Sequence, residues 1–208
     1  MIGNVVKISH KESVEFLLPK HYSGRVPSIS YAFGWFIDGT LVAVCTFGKP
    51  ASNALCEGVC GKDYKEKVFE LNRLCRVENI KEPLSSFVSA CLRILSAYNL
   101  IIVSYSDTSM HHNGYVYQAC NFFFTGRTKS RTDKYTEGNK HSRHYSNDQQ
   151  NGYRKVRSAK NRYVFFATGR LQRRKYLKAL KYPIEKYPKE SNIKYILGEY
   201  QKPVLVQQ

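Results

Sequence analysis

Asp107 and Tyr117 belong to the one segment of this chain that collects side chains able to take up, hold or release a proton. The segment runs Ser104-Tyr105-Ser106-Asp107, then His111-His112-Asn113-Gly114, then Tyr115-Val116-Tyr117-Gln118. A carboxylate accepts a proton or binds a cation, and a phenol donates a proton to a departing group. Both chemistries need a cleft in which the two groups meet. The duller reading also exists: Asp-Thr-Ser at 107–109 is good turn chemistry, and a tyrosine in a short helix is often plain packing.

The flanking residues supply the cleft. Leu100 to Val103 is an unbroken apolar run, the mark of a strand buried on both faces. The polar cluster therefore sits at the carboxyl end of a central strand, where open α/β sheets bind ligands. Asn113-Gly114 reads as a cap, Tyr115 to Cys120 as a short helix, and Asn121 to Gly126 as an aromatic strand. Asp107 and Tyr117 then face one cleft.

Upstream, Val14 to Leu18 ends an early helix or strand and enters a polar loop that contains His21 and Tyr22. Ile29 to Ile37 and Leu41 to Phe47 are strands, joined at Asp38-Gly39, a strong hairpin signal. Lys49 to Lys67 is irregular or partly helical. Val68 to Val77 is a strand broken by Glu70, Asn72 and Arg73. Pro83 opens a helix whose Leu84, Phe87, Val88, Cys91, Leu92 and Leu95 recur at helical spacing. Tyr163 to Ala167 is a further strand, and Leu171 to Leu180 a short basic helix.

Between Arg127 and Arg162 the composition changes, with eleven Lys and Arg against three Asp and Glu and few aliphatic residues. Such a segment reads as a long surface excursion. It alternates cations with Tyr, His and Asn, which suits phosphate contacts and base stacking. Arg127, Lys129, Arg131, Arg143, His144, Arg154, Lys155, Lys160 and Arg162 are the expected phosphate readers. The whole chain carries a net charge of +17, which favours a polyanionic partner, DNA or RNA ahead of an anionic membrane. No apolar stretch approaches the roughly 20 residues of a membrane span, and the first residues lack a signal-peptide core, so a cytoplasmic location is expected. The six cysteines lie mostly in apolar segments and read as reduced, small hydrophobes. Cys56 and Cys60 have no second ligand pair at zinc spacing.

The order of elements resembles the GNAT acetyltransferases, an α/β (α+β) fold in which a mixed central sheet is flanked by helices. It is expected to form a single domain over 1–208, with a basic DNA-contacting insertion at 127–162. The wording is more specific, and resembles the Mom family of phage DNA-modification proteins. It rests on Glu70-Leu71-Asn72-Arg73-Leu74, on Ser104-Tyr105-Ser106-Asp107, and on His112-Asn113-Gly114-Tyr115-Val116-Tyr117-Gln118-Ala119. Thr125-Gly126, Lys160-Asn161-Arg162-Tyr163 and Tyr187-Pro188-Lys189 extend it. The resemblance implies conversion of adenine in double-stranded DNA to an N6-carbamoylmethyl derivative, which shields phage DNA from host restriction.

It also implies roles. Asp107 becomes a base or metal ligand near the adenine amine, and Tyr117 the general acid towards the leaving group. His21 and Asp107, completed by Tyr22 or Tyr117, become a pair suited to ferrous iron. Arg73 beside Ser86, with Ser85, Glu70 and Asn72, would anchor an anionic group of the donor, whether acyl-CoA or another acyl or aminoacyl carrier. An internal ion pair is the plainer reading of Glu70, Asn72 and Arg73. The turn from Leu74 to Pro83 lacks the glycines on which acetyltransferases cradle the coenzyme A pyrophosphate. Reaching N6 inside a duplex implies base flipping, with Trp35, Tyr31 or Tyr145 able to stack on the base. Two rivals follow from the same residues: an acyl-CoA-dependent N-acetyltransferase of a protein or small amine, and a non-catalytic DNA-binding protein.

Overall fold

The computed structural model describes residues 3–135, 152–189, 197–198, 202 and 204–207. Arg143, His144 and Tyr145 lie outside them. The chain opens with β1 (Asn4–Lys7) and α1 (His10–Leu17). Ser9 caps α1 through a capping box, its hydroxyl accepting from Glu12 N while the Glu12 carboxylate accepts from Ser9 N. The sequence expectation of a helix or strand end at Val14 resolves to helix, and the short β1 was not anticipated. Then come β2 (Tyr31–Ile37), β3 (Thr40–Gly48), α2 (Asn53–Cys60) and β4 (Val68–Arg76). They are followed by α3 (Leu84–Leu95), β5 (Leu100–Asp107), α4 (Tyr115–Ala119) and β6 (Phe123–Arg127).

The strand expected at Tyr163 begins earlier, as β9 (Lys160–Ala167), preceded by a hairpin of β7 (Arg131–Lys134) and β8 (Tyr153–Arg157). The helix α5 (Arg170–Ala179) and β10 (Leu205–Gln207) complete the order. The basic stretch is thus not an unstructured excursion where it is described. Main-chain pairing stabilises it, β7 on β8 and β10 on β8, where apolar burial cannot.

The main sheet runs β1-β2-β3-β4-β5-β9-β6. Among the described residues its only parallel pair is β4 with β5, joined through α3 as a parallel crossover requires. One face packs on α3, where Phe87, Val88, Cys91, Leu92 and Leu95 are all buried as their spacing predicts. Phe69, Leu71, Ile102 and Tyr163 meet them there. The opposite face of the sheet buries Val68, Ile101, Val103, Val164 and Phe166 against α2 residues and Tyr176 of α5. All six cysteines are free and buried, as small hydrophobes should be. Beyond α5, Glu185 N donates to Phe124 O and Tyr187 Oη to Phe122 O, which lays the tail along β6. Among the described residues no helix is long and apolar enough to cross a membrane.

Candidate active site at the strand fork

β4 and β5 pair only from Val68–Leu71 with Ile101–Ser104. Beyond these residues β4 runs on to Arg76 and β5 to Asp107 without pairing, so the sheet opens into a fork. A bulge drives the divergence. Thr46 pairs with Arg73 and Phe47 with Leu71, leaving Asn72 as the extra residue. Asn72 is held by two hydrogen bonds, Thr46 Oγ1 to its Oδ1 at 2.7 Å and its Nδ2 to Ser28 O at 2.7 Å. Gly48 lets the Ser28 loop come this close, since a Cβ there would stand 1.8 Å from Ser28 O. Asn72 is therefore a fixture of the bulge, held by hydrogen bonds and not by the ion pair of the plainer reading.

The crotch of the fork is Ser104, whose Oγ donates to Leu71 O at 3.0 Å. Tyr117 hydrogen-bonds the Ser104 side chain, and burial raises its pKa above the ordinary phenol value. Its ring packs on Phe122 and Tyr163, each at 5.4 Å. α4 is aimed by Gly114, at φ +81°, where a Cβ would stand 2.4 Å from the Tyr163 ring. Gly114, not Asn113, is the N-cap residue. Asn113 instead accepts from Tyr115 N through Oδ1, and its carbonyl takes the Tyr163 hydroxyl and Gln118 Nε2.

His21 and Tyr22 come to the fork from the loop after α1. Their rings stack at 4.4 Å, and Tyr22 meets His112 edge-on at 6.1 Å. Burial first, then the charges of Arg73 and His112, lower the His21 pKa to about 3, so its imidazole is neutral. Burial, with Asp107, raises that of Tyr22 to about 12 against the opposing pull of Arg73. Arg73 fastens this loop through Nη2 to Arg25 O at 3.2 Å and closes on its own strand through Nη1 to Asn72 O at 2.6 Å. Its buried Nε has no partner. The guanidinium thus points at the loop, while Ser85 and Ser86 stand at the start of α3, where Ser85 O accepts from Cys120 Sγ.

Two carboxylates flank the fork, in opposite states. Asp107 is buried, and burial alone would raise its pKa. Lys160 and the hydrogen bonds from Ser158 and Ser109 outweigh that and hold it below the usual range. Its Oδ1 accepts from Ser109 N at 3.0 Å, Ser109 Oγ at 2.7 Å and Ser158 Oγ at 2.5 Å, while Oδ2 pairs with Lys160 Nζ at 3.3 Å. These are the partners of a turn carboxylate. Glu70 is half-buried, and burial raises its pKa despite the nearby charges of Lys160 and Arg73. It lies within electrostatic reach of Tyr117 and Tyr105. A desolvated carboxylate with a raised pKa is the better proton acceptor of the two. The signal in the sequence was the single acid of β4, which reads equally well as half of an ion pair with Arg73.

The described residues give the implied iron no support. Among the described residues no three His, Cys, Asp or Glu side chains group as metal ligands. His21 Nδ1 is engaged by the Ser23 hydroxyl and amide, and the Asp107 carboxylate by four donors. The donor grip fits in part. The start of α3 has no side-chain cap, and Ser86 N already donates to Pro83 O, which leaves the Leu84 and Ser85 N–H groups for an anion. The glycine-free turn before it is closed by Arg76 Nη1 on Glu82 O at 2.7 Å.

Three of the expected phosphate readers, Arg127, Lys160 and Arg162, lie in the main sheet. Arg127 Nε donates to Asn161 Oδ1 at 2.9 Å, and Lys160 pairs with Asp107. Arg162 donates to Thr125 O at 2.7 Å and lies 3.4 Å over the Tyr182 ring. Lys129, Arg131, Arg154 and Lys155 belong to the hairpin and its approach. Trp35, 3% exposed and stacked on Phe87 at 5.5 Å, is core and cannot stack on a base. Tyr31 packs between Phe69 and Tyr98.

The profile described as the Mom protein family matches residues 4–189. No curated protein matches the chain. A probable acetyltransferase from Staphylococcus epidermidis ATCC 12228 is similar at TM-score 0.50 and 13% identity, covering 80% of this chain and 99% of that one. Ard1 from Thermoplasma volcanium follows at TM-score 0.48 and 10% identity, covering 80% and 98%. A GNAT family acetyltransferase from Elizabethkingia anophelis with acetyl-CoA bound gives TM-score 0.48 and 8% identity, covering 79% and 98%. The fold is GNAT-like: a mixed sheet, split at its one parallel pair and flanked by helices.

Proposed function

The chain belongs to the Mom protein family, and from that membership we propose that it modifies adenine N6 in double-stranded DNA, installing a carbamoylmethyl group that blocks host restriction. Adenine as the acceptor rests on the family. The observation that supports a DNA-modifying site in this chain is the position of the basic hairpin. It leaves from β6 and returns into β9, and β9 begins beside Asp107 at the mouth of the fork. The surface suited to phosphate and the group-transfer cleft therefore share one edge.

An acyl-CoA, or another acyl or aminoacyl carrier, would supply a carbonyl carbon and its leaving group, so the transfer itself yields an N6-acyl adenine; from a glycyl donor that adduct is an isomer of the N6-carbamoylmethyl product and must still rearrange to it. The protein's residues serve the transfer. Glu70 accepts the proton as the adenine N6–carbon bond forms. Tyr117 gives its phenolic proton to the departing group as the carbon–leaving group bond breaks, and Ser104 holds its hydroxyl at the crotch. Neutral His21 and Tyr22 wall the cleft against water, and their ring faces suit a flipped base. Asp107, expected to be the base, has Oδ1 taken by three donors and Oδ2 paired with Lys160, and in this reading it serves the site by position.

The test is mass spectrometry of nucleosides from DNA of cells that make the protein. Modified adenine is expected, and unchanged adenine in the presence of folded protein counts against the reading. Acetylation of a protein or small amine, with tight acetyl-CoA binding, would instead favour the acetyltransferase rival. Salt-dependent DNA binding without any modified base would favour the non-catalytic one.

A further inference from the structure

Asp107 sits where two parts of the molecule meet, and its bonds join them. Its carboxylate holds the turn after β5 through Ser109. It holds the β8–β9 corner through the Ser158 hydroxyl at 2.5 Å and the first residue of β9 through Lys160 at 3.3 Å. Next to it, Thr108 Oγ1 donates to Ala159 O at 2.7 Å and Thr108 N to the same oxygen at 3.3 Å. The other crossing is tied at the same level, with Thr128 N donating to Lys160 O at 2.8 Å and Thr128 Oγ1 accepting from Lys160 N at 2.9 Å. The hairpin has little apolar area with which to hold itself in place. Its β7 strand is largely exposed and its β8 only half-buried. What fixes its direction is this set of polar bonds at its base.

From this we infer that Asp107 is a positioning residue: a clasp that fixes the basic hairpin over the mouth of the strand fork, so that DNA held by the hairpin presents its base to the site. The inference deepens the DNA-modifying reading and rests on it for the turnover measurement alone. A base must be ionised and have a free oxygen. A clasp needs an oxygen that accepts from Ser158 and Ser109, which an amide also offers.

Three variants separate these roles. Asp107→Ala removes the clasp, and Asp107→Asn keeps the Oδ1 acceptor while losing the charge. Ser158→Ala combined with Thr108→Val opens the far side and leaves Asp107 paired with Lys160. Hydrogen exchange of the Tyr153–Arg157 amides and binding of a duplex oligonucleotide are measured for each, and turnover at low and saturating duplex. In Asp107→Ala and in the double variant, exchange of these amides accelerates while Leu100–Val103 stays protected. Duplex binding weakens on the order of tenfold through lost preorganisation, and the loss of turnover is largely recovered at saturating duplex. Asp107→Asn restores most of what Asp107→Ala loses.

If Asp107→Ala fails to fold, the double variant decides alone. Unchanged exchange and affinity in the double variant overturn the clasp. So does an Asp107→Asn protein that binds DNA and protects the hairpin normally yet has no turnover at saturation, since that marks a base. If no DNA is modified by the parent protein, exchange and affinity still test the clasp while the functional reading fails separately.

Discussion

Tyr117 touches both the packing and the chemistry, and replacement by Phe separates them. Phe keeps the contacts with Phe122 and Tyr163 and loses only the hydroxyl at Ser104. Thermal melts should show a loss of about 1 kcal/mol, while nucleoside analysis should show turnover down about 100-fold or more. A variant that still transfers well removes Tyr117 from the reaction. Glu70 makes an opposite pairing of stability and activity. Its folded pKa is raised above 4.5, so between that value and the folded one the native state binds more protons than the unfolded chain. Stability therefore falls as pH rises through that window, and the penalty persists at neutral pH. Glu70→Gln should melt higher than the parent at neutral pH and lose its transfer activity, together with the rise in rate that follows deprotonation of a base. For His21 the sign reverses. The unfolded chain takes up a proton near 6.5 while the folded one resists to about 3, so stability falls as pH drops through that range. His21→Asn should flatten this dependence in melts recorded from neutral to acid pH.

The elements that build the fork differ in how plainly the sequence announced them. α3 was legible because its apolar residues recur on one face, and β5 because an unbroken apolar run of that length makes a buried strand. The polar end of β5 followed from position alone. The bulge at Asn72 was not legible. It depends on Ser28, far away in sequence, and on Gly48 allowing that contact. β7 and β8 were missed because their residues carry no alternation of apolar and polar side chains; main-chain pairing, invisible to composition, makes them strands. Arg127, Lys160 and Arg162 read as phosphate contacts in the sequence, and charge in a basic run does not disclose the internal partners they also have. α4 shows how narrow such a local solution is. At φ +81°, and with the Tyr163 ring where a side chain would go, Gly114→Ala should cost at least about 1–2 kcal/mol from backbone strain, with the ring contact adding to it. A denaturation curve measures the cost. Transfer should fall with it, because the same turn aims Tyr117.

At the scale of the whole molecule, the net charge of +17 says nothing by itself about which cations meet a phosphate. The structure divides them. Arg162 is bonded to Thr125 and stacked on Tyr182, and Lys160 is paired with Asp107. These cations hold strands together, and their charges are partly answered from within. Lys129 is exposed and stands at the entry to the hairpin, and Arg131 is exposed with only a 3.5 Å contact to Asp133. Each phosphate neutralised by a cation releases condensed counterions, so the slope of log affinity against log salt counts the contacts, at about 0.9 per phosphate on duplex DNA. Lys129→Gln and Arg131→Gln should each flatten that slope by about one contact and leave the melting temperature near the parent's. Arg162→Gln should do the reverse, lowering the melting temperature while the slope stays close to the parent's. Titrations of one duplex at several salt concentrations, beside melts of the same proteins, tell the two groups apart. Equal slope changes across all three would mean that the internal bonds of Arg162 give way to phosphate when DNA binds, and that the strands bordering the fork are part of the DNA surface itself.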